Sequence, residues 1–122
     1  MINGKRVLIV EDNCLIGEVI AETIVEAGGC PLGPALSERE ALDLIDYGKD
    51  APDAAILDIR LDVRSFDVAA RLQSLGVPFI FASGHYNELP VHLQEVPVCQ
   101  KPYTVRSLLS TLEEEMSVVR KH

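Results

Sequence analysis

The sequence predicts an α/β domain built on a single, doubly wound parallel sheet of five strands. Three observations carry that prediction. Short, unalternating apolar runs fill 6–10, 54–58 and 78–82, apart from Arg6 opening the first and Asp58 closing the second, and amphipathic stretches separate them. Runs that are apolar throughout, rather than alternating, suit strands covered by helices on both faces. Polar groups able to do chemistry stand just beyond those runs, where such sheets place their sites.

The elements follow in order. Arg6-Val-Leu-Ile-Val is long enough for one buried strand, and Asn13 can cap the helix behind it. That helix carries Ile16, Val19, Ile20 and Ile24 at spacings of three and four and stops at Gly28-Gly29. Residues 30–36 contain Pro31, Gly33 and Pro34, so a strand there belongs at an edge. Ser37 and Glu40 form a capping box before Ala41, Leu42, Leu44 and Ile45. Ala54-Ala-Ile-Leu-Asp58 is the third strand. A helix over 65–75 presents Phe66, Ala69, Leu72 and Leu75 and is stopped by Gly76. Pro78-Phe-Ile-Phe-Ala82 leads to Ser83-Gly84. Residues 84–96, with Pro90 inside and Pro97 beside them, leave room for at most one short helix, so the fourth helix is shortened or missing. Val98-Cys99 is a brief fifth strand. Thr104 to Lys121 is a helix with Val105, Leu108, Leu109, Leu112, Met116 and Val119 on one face, and Arg120 and Lys121 suit its C-terminal dipole.

Composition narrows the function classes. The 122 residues make one domain, with an apolar fraction of 48% that argues against disorder. The formal net charge is -8, and residues 11–46 hold nine carboxylates against the single basic Arg39. A chain this acidic is a poor partner for nucleic acid, whose binding rests on phosphate neutralisation. No apolar run is long enough to span a bilayer, and the N-terminus is not a signal peptide, so a cytoplasmic location is expected. Cys14, Cys30 and Cys99 are too sparse for a disulfide framework and read as buried, reduced thiols. His85, His92 and Cys99 recur every seven residues, too widely for a zinc site.

Chemistry converges on one rim. The first strand ends at Glu11-Asp12, the third at Asp58, the fourth at Ser83 and the fifth at Lys101-Pro102. Each alone has an ordinary explanation: first-turn acids, a strand-end cap, a turn serine, a solvated lysine. Together they form a site. Clustered carboxylates repel and call for a hard cation, and Mg²⁺ takes a few carboxylates with water and phosphate oxygens. Asp58 is then placed to attack phosphorus, as carboxylates do in aspartyl-phosphate chemistry, while Lys101 and the Ser83 hydroxyl surround the transferring oxygens.

These residues resemble the receiver domains of two-component response regulators over essentially the whole chain. The match lies in Glu11-Asp12 after Val-Leu-Ile-Val, Asp58 in Ala-Ile-Leu-Asp-Ile, Ser83 in Phe-Ala-Ser-Gly, and Lys101 in Gln-Lys-Pro-Tyr. The resemblance implies a flavodoxin-like receiver fold and a phosphoacceptor at Asp58, supplied by the phospho-histidine of a sensor histidine kinase or through a phosphotransfer protein. It implies Mg²⁺ held by Glu11, Asp12, Asp58 and the backbone carbonyl of Arg60. It also implies Lys101 and Ser83 on the phosphoryl oxygens, and a cis Lys101–Pro102 peptide.

Some features depart from the family. The intervals from Asp58 to Ser83 and from Ser83 to Lys101 are short, and Val98 stands where a switch aromatic is usual. Phe81-Ala-Ser-Gly84-His85-Tyr86 resembles the Phe-Ala-Thr-Gly-hydrophobic-Tyr stretch of a mostly alphaproteobacterial, single-domain subfamily. That likeness implies kinases of the HWE/HisKA2 type and output through protein contacts. Residues 1–122 are accordingly expected to form a stand-alone receiver, monomeric or weakly dimeric. Gly84, His85, Tyr86, Val98, Pro102 and Tyr103 are the expected switch and readout positions, with Tyr86 or Tyr103 standing in for the missing aromatic. The rival readings are a degenerate adaptor that works without phosphorylation and an aspartyl phosphatase. The phosphatase reading is weak because Arg60 occupies the place of its second acid.

Overall fold

The computed structural model describes residues 2–49, 51–59, 66–83, 91–100 and 103–118. Strand β1 (Arg6–Val10) is followed by α1 (Cys14–Glu26), β2 (Cys30–Ala35), α2 (Glu38–Tyr47), β3 (Ala54–Ile59) and α3 (Phe66–Ser74). Then come β4 (Phe79–Ser83), a 3₁₀ turn (Val91–Leu93), β5 (Val98–Gln100) and α4 (Val105–Met116). All strand pairs are parallel, and the order is β2-β1-β3-β4-β5. This is the five-stranded, flavodoxin-like architecture that the sequence predicts, with its order reversing between β1 and β3. The proline-rich β2 lies at an edge, as the loss of N–H donors requires. Within 84–96, the described part holds only the 3₁₀ turn.

Side-chain alternation along the strands divides the core in two. Leu8, Ala55, Leu57, Phe79 and Phe81 face α2 and α3, where Ile45, Val68 and Leu72 complete one cluster. Val7, Ile9, Ala54, Ile56, Ile80 and Ala82 face α1 and α4, where Ile20, Ile24, Leu108 and Leu112 complete the other. The strands therefore bury both faces, which is why they read as unbroken apolar runs. Phe79 and Phe66 both meet the ring of Phe81 edge to face, at centroid separations of 5.6 and 6.3 Å.

The caps on α1 and α2 are those the sequence predicts, and α4 adds one that it does not. The Asn13 side chain accepts from the N–H groups of Leu15 and Ile16 at 3.1 and 3.2 Å. The Ser37 hydroxyl accepts from the Glu40 N–H at 3.1 Å, while the Glu40 carboxylate takes the N–H of Leu36. Thr104 and Ser107 close a reciprocal capping box on α4.

Four expectations need correction. The last helix ends at Met116, not Lys121. Glu113, Glu114 and Glu115 crowd the negative end of its dipole, and the Ser117 hydroxyl donates to the Glu114 carbonyl at 2.7 Å. Residues 119–121 lie outside the described residues. Second, α3 ends at Ser74 and Leu75 is 52% exposed. Gly76 there adopts a positive φ of 70°, its N–H donates to the Gln73 carbonyl, and the Val77 N–H donates back to Leu72, a Schellman turn. Third, Val19 is 50% exposed, because the buried line of α1 runs through Gly17, Ile20 and Ile24. Fourth, Cys14 and Cys30 are exposed and Cys99 is half-buried. All three are free thiols as expected, but Cys14 opens a helix at the rim and Cys30 starts the edge strand.

Candidate functional site

Parallel β1 and β3 run side by side, with Val10 in register with Leu57. One step further, at their carboxyl ends, Glu11 and Asp58 become neighbours, and Asp12 follows on the loop into α1. Carboxylate oxygens of Glu11, Asp12 and Asp58 all lie within 4.8 Å of one another. The three acids differ in exposure: Glu11 is buried at 3%, Asp58 is half-buried and Asp12 is exposed.

Local structure holds Glu11 in place. Its backbone N–H donates to the Ala35 carbonyl at 3.0 Å, tying it to the end of β2. Its Oε2 accepts from the backbone N–H of Asn13 at 3.0 Å. Asn13 is also the cap of α1, so the positive end of that helix lies beside the acids and favours their charge. Gly17 lets α1 settle against this rim. A Cβ at Gly17 would lie 2.7 Å from Cβ and Cγ of Pro34 and 3.8 Å from Cβ of Glu11. Sequence reasoning passed over Gly17. Its signal was its cost, since glycine inside a helix is about 1 kcal/mol worse than alanine and calls for a packing reason.

Tyr103 joins the same side of the sheet. Asp58 is in register with Ala82 and Ala82 with Cys99, so these residues form a row across β3, β4 and β5. Tyr103 packs into the cluster that contains Ala82 and Cys99. Its hydroxyl is buried and has no hydrogen-bond partner among the described residues. Burial first, and then the charges of Glu11, Asp58 and Cys99, push its pKa up to about 12. The hydroxyl therefore keeps its proton at neutral pH.

Ser83 is the last residue of β4, in register with Ile59 and Gln100, which places it at the same sheet edge as Asp58. Val98 is half-buried, pairs with Phe81 and packs toward the α2 and α3 side, away from the acids. Arg60, Gly84, His85, Tyr86, Lys101 and Pro102 lie outside the described residues, as does the expected cis Lys101–Pro102 peptide. The cis X–Pro peptide among the described residues is Gly33–Pro34.

The arrangement fits a hard divalent cation. Its donors are all oxygens, and three acids so close together would otherwise repel strongly. No helix among the described residues is long and apolar enough to cross a membrane.

No family model matches the chain. The transcriptional regulatory protein PdtaR of Mycobacterium tuberculosis is 28% identical over 96% of the chain, which spans 59% of PdtaR's own length. Among solved structures, the PhyR response-regulator REC domain of Erythrobacter litoralis superposes with a TM-score of 0.79 at 20% identity, covering 98% of both chains. The BeF3-activated conformation of SdrG from Pseudomonas melonis Fr1 is 32% identical, with a TM-score of 0.69 over 92% of this chain and 98% of SdrG.

Proposed function

We propose that this chain, which has the fold of a response-regulator receiver domain, accepts a phosphoryl group on Asp58 from a sensor histidine kinase or phosphotransfer protein, in a Mg²⁺-dependent reaction, and signals through protein contacts. The observation that carries this reading is the convergence of Glu11, Asp12 and Asp58 at the carboxyl edge of the sheet.

The chemistry follows from that placement. A carboxylate oxygen of Asp58 attacks the phosphorus of a phospho-histidine. The P–N bond breaks as the P–O bond forms, the imidazole leaves, and an acyl phosphate remains. Glu11, Asp12, Asp58 and the Arg60 carbonyl would hold Mg²⁺, which would supply the positive charge that lets an anionic nucleophile meet an anionic phosphoryl group. Glu11, fixed by the N–H of Asn13, and Asp12 are the acids that do not react. Lys101 and Ser83 are assigned to the phosphoryl oxygens, where preformed donors stabilise charge in the transition state. The added group brings about one to two further negative charges beside the acids, and that change is the signal. Residues 84–103 and the last helix are assigned as the readout surface. The likeness to SdrG supports this reading, because beryllofluoride is a stand-in for a phosphoryl group.

The test is incubation with acetyl phosphate, with and without Mg²⁺, followed by intact-mass measurement of wild type and Asp58→Asn. The expected result is one added phosphoryl group that requires Mg²⁺ and disappears in the variant. No gain from acetyl phosphate or a kinase would favour the adaptor that works without phosphorylation.

A further inference from the structure

The Tyr103 hydroxyl has no role in the scheme above, yet its position is unusual. A buried hydroxyl without an acceptor is unfavourable, and buried polar groups nearly always find partners. Its oxygen is shut off from solvent, and no hydrogen-bond partner is found among the described residues. A phenylalanine would fill the same space without that cost. The hydroxyl is not placed at random, because the tyrosine sits on the face of the sheet occupied by Ala82 and Cys99. Those two residues continue the row that begins at Asp58. Ala82 is the smallest side chain in that row, and Tyr103 packs against the cluster to which Ala82 belongs.

From this geometry we infer that Tyr103 is a state-selective donor: its hydroxyl lacks an acceptor while Asp58 is unmodified and donates to an oxygen of the acyl phosphate once Asp58 carries one. The inference rests on the reading of Asp58 as the phosphoacceptor. It goes beyond that reading by assigning a hydrogen bond made in only one of the two states.

Charge supports the direction. The hydroxyl stays protonated beside the acids, with its pKa pushed up to about 12, so it can donate and does not add a further negative charge. Donation to an anionic oxygen is stronger than donation to a neutral one. A contact present in one state and absent in the other is what shifts a two-state equilibrium, whereas a contact equal in both shifts nothing. Tyr103 would thus couple the site to the start of α4, two residues further along the chain. It offers a route for the signal that needs no aromatic at Val98.

The test uses beryllofluoride with Mg²⁺ as the probe, on the full chain, in wild type, Tyr103→Phe and Asp58→Asn. The melting temperature of each is read without the probe, and affinity is then read from titration. Tyr103→Phe should melt no lower than wild type without the probe and bind it about ten-fold more weakly. Its acetyl-phosphate-derived phosphoprotein should also decay faster. If Tyr103→Phe binds as tightly as wild type, this inference is overturned and the Asp58 reading stands. If Tyr103→Phe melts clearly lower without the probe, the hydroxyl already has a partner and the inference also fails. If wild type itself does not bind the probe, or Asp58→Asn binds equally, the Asp58 reading fails and this inference falls with it.

Discussion

At the residue scale, two side chains carry measurable consequences. Asp12 is the exposed member of the acid cluster and contributes a charge without supporting the core. Asp12→Asn should leave the fold intact and weaken Mg²⁺ binding by about ten-fold, equivalent to about 1.4 kcal/mol, as read by titration calorimetry. Unchanged affinity would remove Asp12 from the cation site. Tyr103 sets a pH dependence. Its hydroxyl ionises near pH 10 in an unfolded chain and at about 12 in the fold. Between those values the folded state binds more protons than the unfolded one, so stability falls as pH rises through the window. Below it, the group adds no pH dependence. Tyr103→Phe should therefore lose less stability than wild type on crossing that window, measured by urea denaturation on either side of it.

At the element scale, α1 is the part whose placement most affects the site. Its cap residue Asn13 also supplies the backbone N–H that holds Glu11. Asn13→Ala should cost about 1 kcal/mol of stability, from the lost cap alone. The backbone donor to Glu11 survives that change, so Mg²⁺ affinity should fall by much less than in Asp12→Asn. Gly17→Ala is different, because the new methyl group meets Pro34 of β2 at 2.7 Å. Forcing that contact should cost roughly 1–3 kcal/mol and lower the melting temperature by several degrees. Helix ends were the least legible elements in the sequence. Apolar spacing alone extended α3 to Leu75 and the last helix to Lys121, although the Schellman turn at Gly76 and the glutamates at 113–115 end them earlier. Val19 shares the apolar character of its neighbours but lies off the line defined by Gly17, Ile20 and Ile24. A four-residue spacing could not distinguish those two faces.

At the scale of the whole molecule, the sheet was readable because its strands are buried on both sides, so Val7 to Ile9 and Ala54 to Leu57 had to be apolar throughout. The edge position of β2 was readable from its prolines and glycine. The meeting of Glu11, Asp12 and Asp58 was readable once the strands were taken as parallel, because ends of neighbouring parallel strands meet at one edge. The burial of the Tyr103 hydroxyl without a partner among the described residues, and the exposure of Cys14 and Cys30, were not readable. They depend on how loops and the first turns of helices pack, and no periodicity records that. The fold and its site should also be linked thermodynamically. A cation that binds only the folded chain raises stability by about 2.7 kcal/mol at a hundred times its dissociation constant. At the same concentration a ten-fold weaker site adds about 1.4 kcal/mol, so Mg²⁺ should raise the melting temperature of wild type about twice as much as that of Asp12→Asn.

The proposed acceptor of phosphorus is a single group, the carboxylate of Asp58. The most direct test is to phosphorylate the protein with acetyl phosphate and Mg²⁺, reduce it with borohydride, and sequence the peptides by mass spectrometry. Reduction converts an aspartyl phosphate to homoserine. Homoserine is expected at position 58 and nowhere else. Homoserine at position 12, or a modified histidine with position 58 still aspartate, would contradict it.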